Sequence, residues 1–271
     1  DGRVEQAVTR PIRKAELAFA ATLPKNYDRA FSWTQIGPKK LGGRTRAAAF
    51  DIRNENIIIT GGVSGGLWKS ADGLTTYYKI TTSSQIHSLT SVAQDKRTGK
   101  EDTWYAGTGE YYPVSSASAY SAPFSGDGIF KSTDNGETWS LLPSTQSGTP
   151  QSSYVNGDMD YIWRVVTDHT DTINDVVLAA VYNGVFRSTD GGTNWTPVLG
   201  IDTSLATTSD YVDLIITPTG KFYATLSSDG PDKGIYRSLD GVSWTNILPA
   251  TGFPGAYDRL VMAYNPLDEN E

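Results

Sequence analysis

The chain alternates short apolar or β-branched runs with clusters of Gly, Asp, Asn and Ser, and the alternation has period two rather than 3.6. Runs of this kind read as half-buried strands joined by tight turns. Four consecutive groups emerge. The first predicts strands over Arg46 to Phe50, Asn56 to Thr60, Leu67 to Lys69 and Tyr77 to Ile80. The second predicts Leu89 to Gln94, Thr103 to Ala106, Ile129 to Lys131 and Trp139 to Leu142. The third runs through Ile162 to Thr167, Val176 to Val181, Val185 to Arg187 and Trp195 to Leu199, the fourth through Val212 to Thr217, Phe222 to Leu226, Ile235 to Arg237 and Trp244 to Leu248. At the ends, Trp33 to Ile36 reads as an outermost strand without its three partners, and Arg259 to Tyr264 as the innermost strand of a fifth group. Residues 1–32, with Pro11 followed by Ile12, Leu17, Phe19 and Leu23, suit a short helix or an extended arm.

The third and fourth strands of every group lie in one repeated segment: GGLWKSADGLTTYYKI, DGIFKSTDNGETWSLL, NGVFRSTDGGTNWTPV and KGIYRSLDGVSWTNIL. Each contains a base, Ser, Asp, Gly and a final aromatic residue. In the turn, Asp72, Asp134, Asp190 and Asp240 can accept backbone N–H donors, while Gly73, Gly136, Gly191 and Gly241 can supply a positive φ. Four equivalent copies argue for a structural role for these aspartates. Four short strands per repeat, repeated radially, protect all but short sheet edges, which is the propeller arrangement. The expected fold class is all-β: a β-propeller of four-stranded antiparallel blades at about residues 44–80, 86–142, 160–199 and 209–248. A fifth begins at 257–271, so the ring is incomplete.

These segments resemble the Asp-box, or BNR, repeat S-x-D-x-G-x-x-W of sialidases, sortilin-type receptors, xyloglucan-degrading hydrolases and photosystem assembly factors. Ser132, Asp134, Gly136 and Trp139 match it fully, as do Ser188, Asp190, Gly192 and Trp195. The first copy departs at Leu74 and Tyr77, and the fourth is one residue short. SWTQIGPKKLGGRTRAAAFD, GGVSGGLWKSADG and GTGEYY further resemble large secreted Asp-box propeller proteins of Bacteroidota, many exported by the type IX pathway. That resemblance implies an extracellular or cell-surface setting. The xyloglucan-degrading relatives carry an Asp just before the Gly-Gly of the first blade's turn, where this chain has Val63 and Ser64 before Gly65 and Gly66.

Composition narrows the chemistry. The formal charge is -7, unsuited to a nucleic-acid backbone or an anionic bilayer as main partner, and no apolar run reaches membrane-span length. With no Cys and only His87 and His169, thiolate zinc sites, cysteine nucleophiles and His-based triads have no material. No cofactor or metal is expected. In a propeller, the loops opposite the Asp turns normally carry the ligand site. On that end fall Arg44, Arg46, Tyr111, Tyr112 and Trp163, the candidate contacts to a protein or glycan partner, and the Tyr-rich insert from Thr108 to Asp127. Arg44, Arg46, Arg164 and Arg259 either clamp an anionic group or pair with Asp51, Asp168 or other acids. A glycosidase requires two carboxylates, and Glu110 with Asp160 or Asp158 is the pair available.

Two functions follow: a non-catalytic binding or scaffolding module, or a glycoside hydrolase whose site is completed by further blades. Asp171-Thr172-Ile173 also fits an O-glycosylation acceptor at Thr172, set against an unmodified turn, and sheet edges left open by the arc would need cover from further chain or a partner.

Overall fold

The computed structural model describes residues 44–85, 88–111, 124–146, 158–200 and 209–265. The expected arm at 1–32, the strand at Trp33 to Ile36, Tyr112 and His87 lie outside the described residues, and so do 112–123 of the Tyr-rich insert.

Among the described residues sixteen strands form four antiparallel four-stranded sheets, each in chain order. Blade 1 contains β1 (Thr45–Phe50), β2 (Ile58–Gly62), β3 (Gly66–Ser70) and β4 (Tyr78–Lys79). Blade 2 contains β5 (Leu89–Gln94), β6 (Trp104–Thr108), β7 (Ile129–Ser132) and β8 (Ser140–Leu141). Blade 3 contains β9 (Ile162–Thr167), β10 (Val177–Val181), β11 (Gly184–Ser188) and β12 (Thr196–Leu199). Blade 4 contains β13 (Val212–Ile216), β14 (Phe222–Leu226), β15 (Gly234–Ser238) and β16 (Thr245–Asn246). The fold is that of a β-propeller. The inner strands β1, β5, β9 and β13 neighbour one another in order.

Three apolar cores lie between blades rather than within them, because each sheet has two faces to cover. Ile59 and Leu67 of blade 1 meet Leu89, Trp104 and Trp139 of blade 2. Tyr105 and Ile129 meet Ile162, Val177 and Trp195. Leu178 and Val185 meet Leu214, Phe222 and Trp244. The aromatic residue closing each turn therefore anchors its blade to the preceding one. Tyr77, the first copy, has no preceding blade among the described residues and is 65% exposed.

The turn between the third and fourth strands works as the sequence implies. Ser132 Oγ donates to Asp134 Oδ1 at 2.7 Å and accepts from Gly136 N at 2.9 Å, while Asp134 Oδ1 accepts from Thr138 N at 2.9 Å. The same bonds recur from Ser188 to Asp190 and Gly192, and from Ser238 to Asp240 and Gly241. Burial opposes ionisation of Asp134, but donation from the Thr138 side chain and backbone outweighs it and lowers the pKa to about 2. Asn194 does the same for Asp190, and the Ser243 and Val242 amides do it for Asp240, each reaching about 2.

Two departures from the sequence reading matter for the site. The innermost strands of blades 1 to 3 each carry one extra residue, Arg46, Thr90 and Trp163, opposite a regular partner strand. Such bulges kink a strand and re-aim a side chain, and period-two patterning gives no sign of them. Residues 257–264 join no ladder. They lie beside blade 4 through single contacts, with Met262 N donating to Asp213 Oδ2 at 2.8 Å and Thr225 Oγ1 donating to Leu260 O at 3.1 Å.

Candidate functional site

The end of the blades opposite the Ser-x-Asp turns gathers most of the charged and aromatic residues singled out above. Glu110 sits just past β6, where its N–H and C=O pair with Phe124 at 2.7 and 3.0 Å. Its side chain is 1% exposed, and both oxygens are engaged: Arg44 Nη2 donates to Oε2, and Arg46 Nη1 lies 2.9 Å from Oε1. Two alternate arginines of one strand end thus reach the same acid. Both pair with Glu110 rather than with Asp51 or Asp168, whose own bonds go to Arg53 and Thr170. Arg164 pairs with Asp213, Nε to Oδ1 at 2.6 Å, across the boundary of blades 3 and 4.

Trp163 requires a correction. The expected partner contact is 4% exposed. Its indole N–H donates to Asp210 O at 3.0 Å, Tyr211 stands 5.3 Å from it and Arg259 caps it at 5.1 Å. The bulge turns the ring into the boundary between blades, where the large apolar surface is worth more than at a rim. Burial comes first, followed by the charges of Arg46 and Arg164, in lowering the pKa of Arg259.

Tyr111 is half-buried and joins Tyr161 and Tyr182 in a trio with ring centroids 5.0, 4.6 and 6.4 Å apart. Asp160, the other member of the expected carboxylate pair, is buried beside this trio, and its backbone oxygen accepts from Gly126 N at 3.0 Å. Gly109 makes that approach possible: at φ +86 a Cβ would stand 1.8 Å from Asp160 O. Glu110 and Asp160 thus share one end of the fold, but Glu110 is the centre of an ion-pair cluster rather than an open carboxylate. The loop positions Val63 and Ser64 divide, with Val63 buried and its N–H donating to Arg44 O at 3.1 Å, and Ser64 exposed.

A different carboxylate has the properties of a proton donor. Burial, then the charge of Asp229, raises the pKa of Asp210 to about 6, with a Tyr182 hydrogen bond opposing and Asp258 reinforcing the shift. A carboxyl group tuned upward in this way can be protonated near neutral pH. Burial and the nearby Asp160 also raise Asp127. Neither acid was singled out from sequence. The trace was there: Asp160-Tyr161, Asp210-Tyr211 and Tyr257-Asp258 put an adjacent acid and tyrosine before three successive inner-strand positions. Among the described residues no group of three or more His, Cys, Asp or Glu is arranged to hold a metal ion, and no helix is long and apolar enough to cross a membrane. Thr172 is exposed, in a turn where Asp171 Oδ1 accepts from Ile173 N and Asn174 N at 2.9 and 2.8 Å.

No family model matches the chain. It is similar to a xyloglucanase of Hypocrea jecorina (strain QM6a), 28% identical over 254 residues, covering 85% of this chain and 29% of that protein. A xyloglucanase of Paenibacillus sp. is 27% identical over 266 residues, covering 85% and 24%. The chain therefore spans about a quarter of the length of these curated relatives. Among solved structures, an ancestral GH74 enzyme superposes with a TM-score of 0.55 at 23% identity, covering 75% of this chain and 25% of that one. That likeness bears on the fold.

Proposed function

We propose that this chain forms part of an extracellular or cell-surface glycoside hydrolase of the Asp-box propeller type, acting on a xyloglucan-like polysaccharide. The observation that carries the reading is similarity across 85% of the chain to two proteins named xyloglucanase. The loop end supplies a wall for the glycan: Arg44 at its rim, the half-buried Tyr111 and Tyr182 backed by the fully buried Tyr161, and Asp210 as the acid nearest in character to a general acid. A second carboxylate is required for hydrolysis, and Asp229 or a residue of a further blade is its source. Export by the type IX route and O-glycosylation at Thr172 belong to the same reading, and the intact mass of native protein tests the latter.

The binding module remains a second reading because of two observations. Glu110 has both oxygens on arginines, and a buried Val63 occupies the place where the resemblance implies a hydrolase acid. Reducing-end release from xyloglucan by the full-length natural polypeptide separates the two. Hydrolysis that falls at least about a hundredfold in Asp210→Asn, the usual scale for losing general-acid catalysis, supports the enzyme with this acid. Xyloglucan retention without hydrolysis supports the binding module.

A further inference from the structure

The junction of blades 3 and 4 holds two acids that differ in access and in what holds them. Asp210 is placed by contacts on both sides. Its carbonyl accepts from the Trp163 indole of blade 3 at 3.0 Å. The residue before it, Ser209, accepts from Asn183 N at 3.1 Å and donates its hydroxyl to Ser227 O of blade 4 at 3.2 Å. Tyr182, past β10, is fixed by its own N–H on Tyr161 O at 2.8 Å, and its side chain hydrogen-bonds to the Asp210 carboxyl group. Asp210 is half-buried in this frame.

Asp229 lies past β14 and is exposed. Ser227 ties it to the Asp210 segment. Ser227 is buried, and its Oγ accepts from the N–H of Tyr211, the residue after Asp210, at 3.1 Å. With that N–H on the oxygen, the one hydroxyl proton is turned to Asp229 Oδ2, 2.9 Å away. Donation from Ser227 thus fixes one oxygen of Asp229 and leaves Oδ1 without a protein partner among the described residues.

The other acids of this end differ in kind. Both oxygens of Glu110 are on arginines, and Asp160 is buried. Asp127 has one oxygen buried and the other on Gln146. Asp258 is exposed, with no hydrogen bond or ion pair among the described residues to hold it. Asp229 alone of these is both open to solvent and held by a buried donor.

We propose that Asp210 and Asp229 are the acid and the base of the site, and that Ser227 is the residue that positions Asp229. Asp210 gives its proton to the glycosidic oxygen as the bond from that oxygen to the anomeric carbon breaks. Asp229 takes a proton from the water whose oxygen bonds to that carbon. Exchange with solvent then returns a proton to Asp210 and removes one from Asp229. Access sets the roles: water reaches the exposed acid, while the half-buried one keeps its proton near neutral pH. The inference rests on the glycoside hydrolase reading and narrows it, since both carboxyl groups then lie in this chain.

Leaving-group dependence in the full-length natural polypeptide separates the two roles. Asp210→Asn should lower xyloglucan hydrolysis at least about a hundredfold but affect a dinitrophenyl glycoside of a xyloglucan oligosaccharide far less, because that group departs without a proton. Asp229→Ala should lower both reactions at least about a hundredfold, and azide, which needs no base, should restore the aryl reaction and yield a glycosyl azide. Ser227→Ala should lower kcat about tenfold at unchanged KM, the scale of one hydrogen bond to a charged group. In the Asp229→Ala background it should have no further effect, whereas a purely structural role would cost activity in both. The titratable groups facing Asp210 are Tyr182 from blade 3, Asp229 from blade 4 and Asp258 from the segment after it. Tyr182→Phe should therefore move the alkaline limb of the pH profile upward, because the Tyr182 hydrogen bond opposes the rise in the Asp210 pKa. An active parent whose rate survives Asp229→Ala overturns the pair and leaves the hydrolase reading standing. A parent inert on both substrates overturns the two together.

Discussion

The two ends of each blade use the same strands and treat their carboxylates in opposite ways. At the turn end, Asp134, Asp190 and Asp240 are wrapped by N–H and O–H donors and held down to about 2. At the loop end, Asp210 lies among other acids with partial burial and is pushed up to about 6. Donors that converge on a carboxylate stabilise its charge, while burial beside like charge destabilises it. The turn end is therefore electrostatically relaxed and repeats four times. At Asp210 the loop end instead holds a carboxylate whose charge its surroundings disfavour, which is where chemistry can be built.

The comparison is broken most severely at Gly109. A side chain there meets Asp160 O at 1.8 Å in a left-handed conformation, so Gly109→Ala should cost about 3 kcal/mol, in the range for combined backbone strain and overpacking. Thermal or urea unfolding measures it. A cost within experimental error of zero would mean that the loop end adapts freely and is not a fixed scaffold for a site.

Next in size is Glu110→Gln. It removes the shared anion from Arg44 and Arg46 and leaves two neighbouring guanidinium groups without their counter-charge. Breaking a wholly buried pair costs about 3–5 kcal/mol; because both arginines keep solvent contact, about 2 kcal/mol is expected, by urea denaturation. Double substitution with Arg46→Met should recover part of it. If Glu110→Gln instead leaves stability intact and abolishes glycan hydrolysis, the acid is catalytic and the ion-pair assignment fails.

How much of this contrast was legible beforehand follows from what repeats. Strands β5, β9 and β14 have the bounds that alternation predicts, because both faces of these strands are covered, even though β5 and β9 each carry a bulge. The outer strands β4, β8 and β16 shrink to two residues each, since their final residues bond singly rather than in a ladder. The turn aspartates declare themselves through local contacts within four residues. The loop end depends on partners 49 to 66 positions apart, such as Arg164 with Asp213 and Arg44 with Glu110, and on bulges that local patterning does not encode. Trp163 was misplaced for that reason. Asp210 escaped notice because its shift arises from burial and from Asp229 and Asp258, acids on other segments.

Asp210→Asn sharpens the electrostatic half of the comparison. Its folded pKa lies above the unfolded value of about 3.9, so the folded state binds the proton more tightly and loses stability as pH rises from about 4 through about 6. The amide lacks that penalty. The variant should be more stable than the parent by about 1 kcal/mol at pH 7.5, after allowance for solvent screening, and no more stable at pH 4. Asp190→Asn should show the reverse sign: its folded pKa of about 2 lies below the unfolded one, so its contribution is present above about pH 4 and fades as pH falls toward 2. Paired unfolding curves at pH 2, 4 and 7.5 decide both. Parallel pH profiles for the two variants would erase the distinction between the ends.

The smallest expected effect lies within the repeated turn itself. Leu74 takes φ 69 where Gly136 and Gly192 take 79 and 94, and its side chain is 53% exposed, so it has little packing to lose. An L-residue in the left-handed region carries a cost of about 1–2 kcal/mol, whereas Gly carries none but gains freedom in the unfolded chain worth about 0.5–1 kcal/mol. The balance favours Leu74→Gly by a few tenths of a kcal/mol to about 1 kcal/mol. Leu74→Ala is the control, because it keeps the strained conformation and removes only the exposed side chain; it should not stabilise. A gain with glycine and none with alanine, measured by thermal unfolding, would show that blade 1 tolerates backbone strain at a turn against which no preceding blade packs among the described residues. Equal gains would put the effect in the leucine side chain rather than in its backbone conformation.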